Sequence, residues 1–584
     1  MKKKLRIIVI TSVLMLLAMG ALLWKAGQVS KQQKEKQEKA LAEERDTSAG
    51  TSKVINKVNE VDRIPLYLSG QQKNVVTVDY QSVKEIYEGK QGDSAEKTLT
   101  NIKKNQNLTF HDPLWAYNPY GTNPQSMYVY FKTSGKAYCK YTISVDDTQI
   151  GDFTRTALNN APDNLSKEHE YQIFGLLPGR TNYITLQLYN KDDELSDTAT
   201  WKIDLPADET GVPQQLSVEK GYSKQTISNG LYTVFSEGTT GKDGKKHYAI
   251  LLYDNSGVLR AHFPTDSYVG KNMQVIYDAL VYECSADRVV SVNSLGQVTH
   301  SYPVYGYTLG GEYAYDGSGS LYMIATAGTK NATKNTKILK LELESGDVSQ
   351  ALDMDEVLSG VYKKIRKKSP KTAKNWLNID SLQCTGTNQL LLSSSKMSGI
   401  FKVSQVGSLL PKLEYIISDP KLWKSYKSLS KKVLTKALAD GQEPDATATP
   451  VVDSILDTPA PSELFDSQYG QNAIIYTRRS GTQYELEMLN NNTGTGAKAG
   501  QESQYYKYLV DEDAGTYQLK TSKELSAISG GGNVLAEDKV WITAEPSGKT
   551  IRETDKQDKL IRKYTLPITP YRVDKSDWKG FWFY

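Results

Sequence analysis

From about Val61 onward the chain runs in short alternations of apolar and polar positions, broken by Gly, Asn, Asp and Pro. That is the pattern of half-buried antiparallel strands, and long helical periods are scarce, so an all-β protein is expected. In "FHDPLWAYNPYGTNPQSMYVYFKTSGKAYCKYTISVDD" (110–147), the segment Asn118 to Pro124 reads as a turn between two strands: two prolines fix φ and Gly121 admits positive φ. Farther on, "YQIFGLLPGRTNYITLQLYN" (171–190) sets Pro178-Gly179 between two alternating runs, like the corner before a late strand of an immunoglobulin-like sandwich. Residues 61–205 therefore predict one β-sandwich.

Past a proline-containing joint near Leu205 to Pro213, residues 206–584 repeat a hairpin: apolar strand, polar turn closed by Gly, second strand. Gly257, Gly296, Gly319, Gly346 and Gly548 occupy those turns. Irregular repetition of this kind predicts β-propeller blades, small antiparallel sheets packed radially. Residues 436–464, rich in Pro, Ala, Thr and Asp without a strand period, predict a loop insertion that serves as a lid or is a simple insertion.

The beginning of the chain has a different texture. Lys2, Lys3, Lys4 and Arg6 precede an apolar run from Ile7 to Trp24, which as a helix would reach roughly 27 Å, enough to cross a ~30 Å hydrocarbon core. Residues 1–27 are thus expected to be a single transmembrane signal anchor. The cationic flank would stay in the cytoplasm and the bulk of the chain would lie outside the cell membrane. A cleaved signal peptide is the competing reading. Residues 28–60, charged and Gln-rich, would form a polar stalk.

Composition adds exclusions. A net charge of +4 on 584 residues, with Lys and Arg scattered, gives no electrostatic footprint for nucleic acid. Three widely spaced cysteines, Cys139, Cys284 and Cys384, allow at most one disulfide and read as small buried hydrophobes. No metal or cofactor is expected. Ser393-Ser-Ser-Lys396 has an S-x-x-K spacing without the accompanying K-T-G, "PSGKT" (546–550) lacks the first P-loop glycine, and "DGSGS" from Asp316 has too few carboxylates for a calcium loop.

The turn "DPLWAYNPYGTNPQSMYVYF", the segment "NWLNIDSL…LLLSSSKMSGIFKVS", "YGQNAIIY" at 469–476 and the closing "ITPYRVDKSDWKGFWF" together resemble the bacterial aryl-sulfate sulfotransferases. The resemblance runs from about residue 95 onward. It implies a small β-sandwich followed by a six-bladed propeller, and an exported enzyme that moves a sulfuryl group from a phenolic sulfate to a phenol without a nucleotide donor, through a sulfated histidine. Such chemistry suits a neutral imidazole nucleophile, with Arg and further histidines stabilising charge on the sulfuryl oxygens.

At the positions the family pattern assigns, this chain carries other residues. The first His falls near Gly311, the Trp-x-His-x-Asn element reads Trp376-Leu-Asn378-Ile-Asp380, Lys396 stands where Arg is expected, and the nucleophile position reads Gly470-Gln471-Asn472. An amide cannot take up and release a sulfuryl group, and Lys lacks the bidentate fork of Arg. The five histidines, His111, His169, His247, His262 and His300, lie elsewhere and read as surface or satisfied core residues. Tyr313, Tyr315 and Tyr469 lie close in sequence to the displaced positions. The expected ligand-binding set is Lys396, Asn378, Asn472, Tyr469 and Trp376. Two functions follow: a catalytically altered sulfotransferase, or a non-catalytic surface propeller binding a phenolic sulfate or another aromatic, anionic or glycan ligand, the latter favoured by the absent histidines and the 38 tyrosines.

Overall fold

The computed structural model describes residues 62–64, 70–72, 74–438, 464–497, 500–525 and 532–584. The anchor and stalk expected over residues 1–60 and most of the 436–464 insertion lie outside the described residues. Among the described residues no helix is long and apolar enough to cross a membrane.

The N-terminal β-region is organised by one 20-residue strand, Ser126–Val145, that bends from one sheet into the other. Its first half pairs with Leu114–Tyr117 and Ser166–Phe174, and its second half with Phe153–Thr156 and Thr181–Tyr189. Inward side chains from both halves share a core with Phe131, Cys139, Phe153, Ile173 and Trp201. The expectation of a purely β region needs correcting: Val83–Glu88 and the 16-residue helix Lys90–Asn105 precede the Leu114 strand. Only Ala95, Leu99 and Ile102 of the longer helix are buried. A three-residue apolar stripe in a charged segment is a faint period, easily read as loop.

Six sheets of four or five strands follow as the blades of a propeller. Their inner strands are Pro570–Ser576, Met273–Ile276, Tyr307–Tyr315, Ile379–Gly386, Asn472–Arg478 and Asn533–Ala536, in blades 1 to 6, and those of blades 3, 4, 5, 6 and 1 contact one another in that order. The ring is closed twice. Pro570–Ser576 pairs antiparallel with Leu231–Ser236 to complete blade 1, and Ser217–Lys220 adds to Leu560–Thr565 at the outer edge of blade 6. All five glycines expected in hairpin turns sit between paired antiparallel strands.

The segment after the closing strand joins the two domains. Trp582 packs against Phe174 of the sandwich with ring centroids 4.6 Å apart, and stacks at 5° on Phe263 of blade 1. The Asn118–Pro124 turn is the second joint. Thr122 Oγ1 donates to the Gly296 carbonyl of a blade 2 turn at 2.6 Å, and Gln125 Nε2 donates to Leu259 O at 3.0 Å. Gly121 has φ +77°, and a Cβ there would lie 2.8 Å from Ile86 Cγ1. The most distinctive motif in the chain is therefore a docking turn, backed by helix Val83–Glu88.

Candidate functional site

The inner strands of blades 3, 4 and 5 share one irregularity. Their pairing slips between Leu309 and Tyr313, between Ile379 and Ser381, and between Asn472 and Ile475. Bulges of this kind re-aim side chains and concentrate next to active sites. Gly311, Asn378 and Asn472 fall at or beside these three bulges, so the structure places them at equivalent points around the axis. Left-handed backbone occurs at each place: Gly311 at φ +89°, Asn378 at 47° and Ala473 at 54°. Asn is one of the residues that tolerate this region.

Each position is held from outside the ring. Between blades 3 and 4, Asp355 accepts from Lys337 Nζ at 2.8 Å and from the Trp376 indole N–H at 2.8 Å. That fixes the loop entering Asn378, with the Ile379 N–H on Asn335 O at 3.0 Å and Ser394 Oγ donating to Leu377 O. Burial raises the Asp355 carboxyl, but bonds from Lys337, Thr333 and Trp376 outweigh it and hold it below its usual range. Trp376 is buried and committed to this strut. Gln471, fully buried, clamps blade 5 to blade 4 by donating to Gly399 O at 3.0 Å. Asn472 Oδ1 accepts from the Ala473 N–H at 2.8 Å and props that strained residue. Tyr469 donates to Asp419 at 2.6 Å. Lys396 is exposed in the turn after Gln389–Ser394, at the rim, its carbonyl taken by Thr495 Oγ1.

Apart from Asp380, the charges inside the ring come from residues the motif reading did not name. A Cβ on Gly311 would lie 3.6 Å from Lys271 Cγ and 3.7 Å from its Cε, so the lysine stem lies in the space a side chain at 311 would use. The Lys271 N–H donates to Gly311 O at 2.7 Å. Arg572, on the blade 1 inner strand, donates to Glu312 and, at 3.4 Å, to Lys271 O. Asp380 Oδ2 accepts from the Ser395 N–H at 2.7 Å, and Glu283 accepts from Tyr268 OH at 2.6 Å. Lys271, Asp380 and Arg572 are half-buried and Asp574 is exposed although, for Lys271, Asp380 and Asp574, burial dominates the shift of the ionisable group; all four lie on or next to the inner strands around the axis. Burial pushes Asp380 up to about 6 and Glu283 up to about 7, and raises Glu312 and Asp574. Burial, then the neighbouring Arg572, lowers Lys271.

None of the five histidines is on an inner strand. His111 meets Asp197 on the sandwich at 2.9 Å, His169 stacks on Phe131, His247 meets Asp243, His262 bonds Gln125 at the domain joint, and His300 stacks on Tyr302. A sequence signal for the missed residues did exist. Arg572 and Asp574 alternate with buried Val573 in "YRVDKS", and Glu312 interrupts the apolar "TLGGEYAY"; on a strand, such alternation puts the charges on one face.

A family model described as arylsulfotransferase (ASST) matches residues 217–557, more than half of the chain, and one described as arylsulfotransferase Ig-like domain matches residues 114–206. The chain belongs to the arylsulfotransferase family. The residues at or beside the inner-strand bulges of blades 3, 4 and 5 are Gly311, Asn378 and Asn472. No curated protein sequence matches the chain. Among solved structures, it is similar to a putative 6-phosphogluconolactonase from Bacteroides fragilis, 10% identical, over 76% of this chain and 99% of that one, with a TM-score of 0.32. A putative 6-phosphogluconolactonase from Bacteroides uniformis is 11% identical over 75% and 99%, with a TM-score of 0.33. Overlaps this low bear on neither activity nor ligand.

Proposed function

We propose that this arylsulfotransferase-family protein is a membrane-anchored, extracytoplasmic propeller that holds a small ligand in its axial recess and does not itself pass a sulfuryl group through a histidine. One observation carries the reading: Gly311, Asn378 and Asn472 stand at the bulges, and every imidazole is engaged away from the inner strands. An amide offers no lone pair basic enough to accept and release a sulfuryl group. The second reading, sulfuryl transfer from a phenolic sulfate to a phenol by another nucleophile, is favoured by family membership itself.

The test is incubation of the full chain with 4-nitrophenyl sulfate and phenol, followed by absorbance and intact-mass measurement. The expected result is no 4-nitrophenol above background and no sulfuryl adduct. An adduct on any residue, with phenol release, overturns the reading and names the nucleophile. Membrane fractionation tests the anchor: the protein is expected in the membrane fraction with Val61 onward open to added protease, and a soluble product beginning near residue 27 contradicts it.

A further inference from the structure

We infer that the propeller binds a linear anionic polysaccharide through the lysines of two helical insertions, residues 359–374 and 420–432. The first lies in the connection from blade 3 to blade 4 and the second in that from blade 4 to blade 5. They carry seven and five cations and no carboxylate. Setting those twelve aside leaves the rest of the chain at −8 against the whole chain's +4, so the scatter of Lys and Arg expected from the sequence does not extend here. All but Lys432 are exposed, and among the described residues none of the twelve forms an ion pair. The two insertions adjoin: Lys364 Nζ lies 4.7 Å from the centre of the Tyr426 ring, and Ile365, Trp423 and Leu429 belong to one apolar cluster. On the helix Ser359–Lys368, Lys363 faces Lys367 and Lys364 faces Lys368 across one turn, like-charge pairs that weaken a helix by themselves. Complementing the helix C-terminus accounts for Arg366, Lys367 and Lys368, three of the twelve.

The neighbouring side chains select among anionic partners. A helix that binds a bilayer turns Trp, Phe or Leu outward into the headgroup layer. Here Trp376 and Trp423 are buried, and so is Val361 of the charged helix. Single-stranded nucleic acid needs open rings on which to stack its bases. Tyr362 and Tyr426 are half-buried and already packed, the first against Trp376 and the second under Lys364. A duplex is stiff over about 50 nm, whereas these charges follow four short helices, the longest of ten residues. A flexible chain can follow them. Eleven of the twelve cations are Lys, point charges on mobile stems that hold anionic groups without the planar fit Arg imposes. A polysaccharide charged along its length meets each of these conditions. The choice of polysaccharide also rests on the extracytoplasmic placement proposed above, since that is where such polymers coat cells.

The experiment titrates the full chain with dextran sulfate and alginate, and in comparison arms with uncharged dextran, duplex DNA and vesicles of phosphatidylglycerol and phosphatidylcholine. Binding to both anionic polysaccharides is expected, weakened about tenfold as salt rises from about 0.1 to about 0.3 M, because counterions are released on binding. Lys363→Gln, Lys364→Gln, Lys367→Gln and Lys368→Gln combined, which keep helix propensity, are expected to weaken it about tenfold, as are Lys421→Gln, Lys424→Gln and Lys427→Gln combined. The same change at four exposed lysines of the N-terminal domain, Lys84, Lys97, Lys132 and Lys167, is expected to leave it unchanged. Thermal unfolding confirms that each variant folds. No binding to either anionic polysaccharide, equal binding to uncharged dextran, or binding that both insertion variants leave intact overturns the inference. Tighter binding to DNA or to the vesicles overturns it in favour of that partner. A chain recovered from the cytoplasm on fractionation would overturn the extracytoplasmic placement and leave the binding result standing, so the two failures are distinguishable.

Discussion

Placing a histidine at position 311 by Gly311→His is expected to destabilise the protein, because the Lys271 stem and Val269 O lie where its side chain would go. At φ +89° a side chain of L configuration is strained, by ~1–2 kcal/mol for a left-handed residue. The new Cβ would lie 3.1 Å from Val269 O, tighter than ordinary van der Waals contact, and the imidazole beyond it would strike the Lys271 stem. Overpacking of this type adds ~1–3 kcal/mol, for a total of about 2–5 kcal/mol. The assay is urea unfolding followed by tryptophan fluorescence, read as a change in midpoint at constant slope. Gly311→Ala isolates the backbone strain and the Val269 contact and should cost less. Combining Gly311→His with Lys271→Ala removes the obstructing stem, so the double variant should be more stable than the sum of the singles by about 0.5–3 kcal/mol. Additivity in that cycle, or a Gly311→His protein as stable as the parent, would refute the claim that the Lys271 stem occupies the space a side chain at 311 would use.

Three further outcomes follow from the geometry. Trp582→Ala, which removes a 5%-exposed indole from between Phe174 and Phe263, should cost ~3–5 kcal/mol and open the 205–216 joint to limited proteolysis. Gly121→Ala should cost ~1–3 kcal/mol in thermal unfolding, from strain at φ +77° and the Ile86 and Tyr80 contacts, without changing ligand binding in the propeller. The third concerns pH. Asp380 and Glu283 are raised on folding from 3.8 and 4.5 to about 6 and about 7, so the native state keeps protons that the unfolded chain has released. Their contribution is fully present below the unfolded values and is lost as pH rises through the folded ones. Glu283 is common to both proteins, so wild type should lose stability relative to Asp380→Asn between about pH 4 and about pH 6, measured by paired urea titrations, and parallel curves would contradict the raised Asp380 carboxyl.

The sandwich and the blades were legible because strand periodicity and turn glycines are local signals: Gly257, Gly296, Gly319, Gly346 and Gly548 each sit where two runs of period two meet. The helix Lys90–Asn105 was not, since three buried positions in sixteen leave almost no period. The bulge positions came from motif register, which located Asn378 and Asn472 but could not show what surrounds them. Lys271 reaches Gly311 across 40 residues of sequence, and Arg572 reaches Glu312 across 260, through ring closure that no local pattern encodes. Lys396 and Trp376 show the same limit from the other side. Adjacency in a motif placed them near the recess, while the turn exposes Lys396 and Asp355 holds Trp376 in the wall.

The double closure of the ring also sets the order in which a growing chain can become a protein. Leu231–Ser236, fully buried along its length in the finished ring, is made early and waits for Pro570–Ser576 as its partner. Over that interval its inner edge is an open template of backbone donors and acceptors, edged with Leu, Tyr, Val and Phe, the kind of strand that captures other chains. The family match ends at residue 557, before both Leu560–Thr565 and Pro570–Ser576. A fragment cut at 217–557 would keep the bulges of blades 3, 4 and 5, yet it would lack Arg572, leave Ser217–Lys220 unpaired and one edge of Leu231–Ser236 open, and aggregate rather than fold.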